Sequence, residues 1–391
     1  MSLKLINKYT KGIYNLFVKL RKNFANNKAK KYIKSIIEYY DAQGGFGYDQ
    51  YSLNIKRYHP MAEGKYLLAL GKLSKASLHS IIDTDELIIN SLARLNKYNI
   101  SLQKEYKCWG LGFSYKAIEE KEPTIVTTAI ITNSLIELYL QGKISKEDDL
   151  LQGALKWLDD FAYGITCNDN NEKIFIPYYS FSANEIVLNS ISLWALVLYK
   201  SQIHNILISK HDVKSVARWI ASKYITGIGW MDFEAGSKRI DLLHQCYILT
   251  SLREILGNEF EEDNCIDAIN IFSSFGKFID KFDAFDKKSA VLTFIKSKHV
   301  YLNKIGSYDI VKYAAEARAW SYGELLSFIS IEMKRSKQYS RYWQVLANRI
   351  LEILLKYIPK WISNNRPRDL MHILNGLVSY YVNIGDKNDE C

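Results

Sequence analysis

The stretch Trp109-Gly110-Leu111-Gly112-Phe113-Ser114-Tyr115, followed by Thr124-Ile125-Val126-Thr127-Thr128-Ala129-Ile130-Ile131-Thr132-Asn133-Ser134-Leu135, decides how the whole chain reads. The second part has helical length and no charged residue, with Thr and Ser where a surface helix would carry Lys or Glu. A helix apolar on every side is a buried one. The first part is a glycine and aromatic turn. Glycine permits the positive backbone angles of a tight re-entry, and the aromatic beside it closes over the helix that follows.

The same unit recurs outward from this point. Comparable loops are Gly-Gly-Phe-Gly-Tyr at 44–48, Ile-Pro-Tyr-Tyr-Ser-Phe at 176–181, Gly-Ile-Gly-Trp at 227–230 and Ile-Gly-Ser-Tyr at 305–308. Amphipathic periodicity predicts helices before the loops over 26–42, 83–97, 146–163, 212–224, 263–282 and 338–362. Helices after the loops are predicted over 59–75, 124–141, 184–201, 240–256, 309–331 and 369–383. The first set carries charged faces, as in Ser145-Lys146-Glu147-Asp148-Asp149-Leu150-Leu151, and belongs outside; the second set belongs inside. The alternation predicts an all-α (α/α)6 toroid of six helical hairpins, spanning 25–391 as one domain. Its loops open on one end, so that end is expected to be a concave, aromatic-lined ligand mouth.

Composition agrees with one large helical domain. Of 391 residues 48% are hydrophobic, with 5 prolines and 20 glycines, which excludes disorder and collagen-like repeats. No linker rich in Pro, Gly or Ser divides the chain, and no run of about 18 apolar residues reads as a spanning helix. Five widely spaced cysteines without a Cys-x-x-Cys pair, and a start unlike a signal peptide, predict a reducing, cytoplasmic setting.

The net charge of +10 is concentrated. Ten Lys or Arg and no acidic residue fall within residues 1–37, which leaves the remainder neutral with 42 of each sign. Within residues 1–24, Ile6, Tyr9, Ile13, Leu16 and Leu20 recur at helical spacing opposite Lys4, Lys8, Lys11, Lys19 and Lys22. This predicts a basic amphipathic helix, fitted either to an anionic membrane surface or to the outside of the toroid. A neutral main body argues against nucleic acid as a partner.

These residues carry a resemblance. The glycine-aromatic loops with alternating inner and outer helices resemble the toroid superfamily of terpenoid cyclases, protein prenyltransferases and polysaccharide-processing enzymes. The order Trp109-Gly110-x-Gly112-Phe113, Pro123 to Ala129, Tyr179-Ser180-Phe181 with Asn189, then Trp230 with Asp241-x-x-His244, is similar to proteins of bacterial surface-polysaccharide gene clusters. That resemblance implies a bacterial protein and a glycan or lipid-linked saccharide as partner. Asp241-Leu-Leu-His244-Gln-Cys246 is also similar to the segment bearing the zinc histidine of prenyltransferases. The companion ligands are missing, so no metal and no cofactor is expected. The acidic run with which cyclases protonate alkenes is missing too. Phosphate-loop, Rossmann, Gly-x-Ser-x-Gly and His-Glu-x-x-His motifs do not occur.

Polar residues at the starts of apolar inner helices are the candidates for chemistry, because a buried charge is costly unless paired or used. His59 and Glu63 share a helix face, as do Asp241 and His244. In each pair a carboxylate orienting a proton-carrying imidazole competes with plain helix capping. Glu316 and Arg318 lie among alanines before Trp320 and Tyr322; Arg368 and His372 begin the sixth inner helix. Asp241, His244, Glu316, His59 and Glu63 are thus the expected acid and base groups. Trp109, Tyr115, Tyr178, Tyr179, Trp230, Trp320 and Tyr322 are expected to stack on substrate. Asn184, Glu185, Asn189, Arg318, Arg368 and His372 are expected to bind it. The residues are compatible with lyase, hydrolase or epimerase chemistry on a sugar, with a noncatalytic membrane-associated scaffold, or with isoprenoid binding.

Overall fold

The computed structural model describes residues 27–48, 55–75, 82–101, 103–169, 172–225, 229–231, 239–260, 291–295, 309–311, 319–336 and 338–385. The predicted helices 1–24 and 263–282 lie outside the described residues. Eleven α-helices occur among those described: α1 (27–42), α2 (Pro60–Lys75), α3 (Asp85–Lys97), α4 (Ile125–Leu140), α5 (Asp149–Asp160), α6 (Leu188–Ile203), α7 (Val213–Ser222), α8 (Leu242–Leu256), α9 (Ala319–Arg335), α10 (Ser340–Ser363) and α11 (Pro367–Gly385). Helices α2, α4, α6, α8, α9 and α11 pack each on the next, and α11 returns to α2 to close a ring. The other helices lie outside, α5 against α4 and α6, α7 against α6 and α8, α10 against α9 and α11. The fold is the (α/α)6 toroid.

Sequence explains the two layers. Every residue from Tyr58 to Gly71 and from Thr124 to Thr132 is buried. Several hydroxyls in the buried helices donate to carbonyls of their own helix: Thr132 to Thr128 at 2.7 Å, Ser134 to Ile131 at 2.6 Å, Ser330 to Leu326 at 2.6 Å. Such Thr and Ser satisfy their own hydroxyl within the helix, whereas a buried Lys or Glu needs a partner from another element. The outer helices α5 and α7 are capped by acids, Asp148 accepting from Leu150 and Leu151 and Asp212 from Ser215.

Three tryptophans bolt inner to outer layer. The indole N–H of Trp109 donates to Leu95 at 2.9 Å, that of Trp194 to Leu158 at 2.8 Å and that of Trp230 to Ile220 at 2.7 Å. Each acceptor is a last-turn carbonyl of the preceding outer helix, where few backbone donors remain to meet the carbonyls.

Short strands, absent from the sequence expectation, join some hairpins. Strands β1 (Phe46–Tyr48) and β2 (Lys56–Tyr58) pair antiparallel, as do β3 (Gly164–Asp169) and β4 (Glu172–Pro177). Strand β5 (Arg239–Asp241) pairs with β6 (Val291–Ile295), which pairs with β7 (Asp309–Val311). The predicted inner helix 309–331 is corrected accordingly: 309–311 is strand, and the helix is α9. Ile310 and Val311 are β-branched, and a short apolar run satisfies strand and helix patterns alike.

Candidate functional site

Two glycines build the centre of the site. A Cβ on Gly323 of α9 would lie 2.3 Å from the His372 carbonyl oxygen, and one on Gly376 of α11 would lie 2.3 Å from the Gly323 carbonyl oxygen. The two helices touch backbone to backbone here, which brings the neighbouring side chain Glu324 onto His372. Gly376→Ala is therefore expected to push α9 and α11 apart and lower the unfolding free energy in urea by about 1–3 kcal/mol, the usual cost of overpacking.

Glu324 Oε1 is shared. It accepts from His372 Nδ1 at 2.7 Å and from Lys65 Nζ of α2 at 2.8 Å. Lys65 also lies 4.7 Å over the Tyr247 ring of α8. Lys65, Glu324 and His372 are all more than nine-tenths buried, so four inner helices converge on one ionic centre. Burial acts to raise the Glu324 carboxyl, but the Lys65 charge and the His372 hydrogen bond outweigh it and bring the pKa down to about 2. Burial lowers the His372 imidazole to about 4 despite the carboxylate beside it. At neutral pH the imidazole is thus uncharged. An ionised carboxylate can only accept, so Nδ1 carries the hydrogen and Nε2 the lone pair. His372 Nε2 is buried and has no hydrogen-bond partner among the described residues. The arrangement is an oriented base.

One turn earlier on α11, the Arg368 guanidinium lies 4.6 Å over the Trp320 ring and 5.3 Å over the Phe113 ring. Trp320 meets the His372 ring edge-on, with centroids 5.9 Å apart. Phe113 is the aromatic of the Trp109 to Tyr115 loop, and its ring centroid is also 6.4 Å from that of the fully buried His59. His59 Nε2 lies 3.3 Å from the Gly47 carbonyl. The loop aromatic, Arg368, Trp320 and His372 thus occupy one end of the ring, at the inner-helix N-termini.

Several expected residues serve the scaffold instead. Glu63 is fully buried and turned to the outer layer, where it accepts from Arg94 Nε at 3.1 Å and Nη2 at 2.9 Å, from Tyr40 at 3.2 Å and from Ser91. His59 and Glu63 are adjacent in sequence register but serve different layers. Asp241 caps α8 by accepting from Leu243 N at 2.8 Å. Trp109 and Trp230 have no exposed surface and their indoles are spent on outer-helix carbonyls, so they are core and not stacking platforms. Tyr322 is buried as well.

The remainder divide by position. Tyr115, Tyr178 and Tyr179 are half-buried in the loops, and Tyr179 joins them together by donating its N–H to Glu185 and accepting from Ile125 N. Glu185 pairs with Lys116 at 3.1 Å, and Asn184 is exposed. Asn189 is 5% exposed, and its Oδ1 has no hydrogen-bond partner among the described residues. His244 is half-buried on α8, one turn before Tyr247. Glu316 and Arg318 lie outside the described residues.

Sequence reasoning missed Lys65, Glu324 and Asn375, whose Nδ2 lies 3.5 Å from Glu324 Oε1. The sequence candidates lie in the first turn of each inner helix, whereas these lie one or two turns deeper. A signal existed: each is a charged or amide residue inside an otherwise apolar inner-helix run.

Neither a family model nor a curated protein sequence matches the chain. Among solved structures, the chain is similar to a cellobiose 2-epimerase from Bacillus thermoamylovorans, at 12% identity and a TM-score of 0.51, over 86% of this chain and 88% of that one. It is likewise similar to a family 76 glycoside hydrolase, a mannosidase from Bacteroides thetaiotaomicron, at 12% identity and a TM-score of 0.51, over 93% of this chain and all of that one. At such identity the likeness establishes a shared toroid fold.

Proposed function

We propose that the protein is a sugar-processing enzyme of the epimerase type, which removes and returns a proton at the carbon beside a sugar carbonyl, with His372 as the base. The observation that carries this reading is the buried, neutral imidazole whose Nδ1 is held by Glu324 and whose Nε2 has no partner among the described residues. In the proposed step Nε2 takes the proton, the electron pair passes to the carbonyl oxygen as an enediolate, and a proton returned to the opposite face inverts the carbon. Glu324 stabilises the imidazolium that forms, as a buried carboxylate orienting histidine does. His244 is the proposed second proton carrier. Trp320 and Arg368 would cover the sugar, the one by stacking and the other by charge-assisted hydrogen bonds.

The toroid alone does not choose, since both an epimerase and a mannosidase share it. The carboxylates of the described residues favour the epimerase. Hydrolysis by two carboxyl groups needs one whose pKa is raised so that it can act as acid. Among the described residues Glu324 is instead driven down by Lys65, while the Glu63 carboxylate is spent on Arg94 and that of Asp241 on capping a helix. The motif resemblance to polysaccharide-cluster proteins sets the proposed substrate among bacterial surface sugars, free or lipid-linked.

The test is incubation in D2O with a panel of reducing mono- and disaccharides, read by proton NMR. Deuterium entering at the carbon next to the carbonyl is the expected result. Glycosidic cleavage without exchange, or no exchange with any sugar, would sink the proposal.

A further inference from the structure

A recess opens away from the ring axis, on the same end of the toroid. It measures about 1160 Å³, above the range usual for a single small-molecule pocket. One wall comes from β1, β2 and the end of α3, where Tyr58 and Tyr98 stack with centroids 4.0 Å apart and Phe46 meets Tyr98 edge-on. The facing wall comes from the end of α5 and the loops beyond it. There Phe181 packs on Phe161 at 5.1 Å and edge-on to Tyr163 at 4.6 Å. Tyr163 and Phe181 are 53% and 40% exposed, so these rings are not core. Gly110 and Gly112 of the loop ending in Phe113 form the floor. A Cβ on Gly110 would stand 2.5 Å from the Glu122 carbonyl oxygen, and Gly112 has φ +81°.

The rim is charged. Arg57 pairs with Glu120, and Asp160 pairs with Lys210 at 2.9 Å, which neutralises both acids of the lining. Lys56, Lys97 and Lys121 remain around the opening. Lys56 donates to the neutral Gln43 at 3.3 Å, and Lys97 lies 5.5 Å over the Tyr98 ring. Ser101 and Gln103 add hydrogen-bonding groups between them. A hydrocarbon tail does not call for such a rim, whereas a chain of pyranose rings bearing carboxylates or phosphates meets aromatic faces with its C–H faces and ammonium groups with its charges.

We infer that this cleft binds an acidic oligosaccharide, holding the chain of which the sugar at His372 is the reacting end. The link is the 109–115 loop: its glycines floor the cleft, while its Phe113 lies against Arg368 at the axis. The inference rests on the sugar-processing reading for the reacting end, and the cleft itself is testable without it.

The experiment is calorimetric titration of the full chain with hexagalacturonate, hexamannuronate, cellohexaose and farnesyl diphosphate. At least one uronate hexamer is expected to bind, and to bind more weakly as sodium chloride rises from about 50 mM to about 500 mM, because exposed ion pairs are screened. Phe181→Ala and Tyr163→Ala, both at exposed positions, are each expected to weaken it about tenfold, and Lys97→Gln to flatten the salt dependence. His372→Gln leaves every residue of the cleft lining in place, so hexamer binding is expected to persist while deuterium exchange falls about 10³-fold. Loss of exchange without loss of binding separates the two sites, and binding that survives a negative exchange assay supports the cleft alone. Equal binding of cellohexaose overturns the acidic class. Binding of farnesyl diphosphate alone, or of no hexamer, overturns the saccharide cleft.

Discussion

His372→Gln is expected to lower kcat by about 10³-fold on whichever sugar exchanges, with KM little changed, in the range usual for loss of a positioned general base. Glutamine can still donate to Glu324, so the fold should be retained and the loss assigned to the proton carrier. The pH profile supplies the sharper test. Burial holds His372 near pKa 4, so the base stays neutral through mildly acid solution. The acid limb of kcat/KM is expected near pH 4, not near the 6.5 of an ordinary histidine. Lys65 is among the charges that lower both His372 and Glu324. Lys65→Met removes that positive charge, so both values rise and the acid limb should move toward higher pH. A limb that stays in place would show that Lys65 does not act on the imidazole.

Arg94→Met should produce the largest loss of stability, about 3–5 kcal/mol in urea denaturation, because it strands the Glu63 carboxylate in the core. The Glu63 side chain has no exposed surface and the Arg94 side chain only 16%. Arg94 also reaches Asp41 of α1 at 3.1 Å, so one guanidinium ties α1, α2 and α3 together. Combining Arg94→Met with Glu63→Gln should recover part of the loss, since a buried amide is far cheaper than a buried charge. A double variant no more stable than Arg94→Met would remove the stranded charge as the explanation. The outcome also bears on function. If Glu63 is scaffold, Glu63→Gln lowers stability and leaves the sugar chemistry intact.

His59 and Glu63 show where reading by register succeeds and stops. Their spacing places them on one helix, and helix α2 forms there with His59 just before its first residue, its carbonyl accepting from Glu63 N. Which neighbour each meets depends on α1 and α3, and those contacts make Glu63 the partner of Arg94. Asp241 and His244 behave alike: the capping aspartate is local, and its bond to Leu243 N was legible. The role of Trp109 and Trp230 was not, because an aromatic beside glycine in a loop reads equally as a platform or as a bolt. Only the last-turn carbonyls of α3 and α7 settle it.

Alternation of wholly apolar with half-charged helices, and the glycine loops between them, is a property of neighbouring residues along the chain. The hydrophobic effect acts on that pattern directly, so the toroid and most helix limits could be read without coordinates. The reactive centre is of another kind. Lys65, Glu324 and His372 are separated by some 300 residues of chain between first and last, and they meet because Gly323 and Gly376 let two backbones touch while α11 closes the ring on α2. Their charges and pKa values arise from one another at hydrogen-bond distance inside a low-dielectric core, and tertiary packing alone creates that distance.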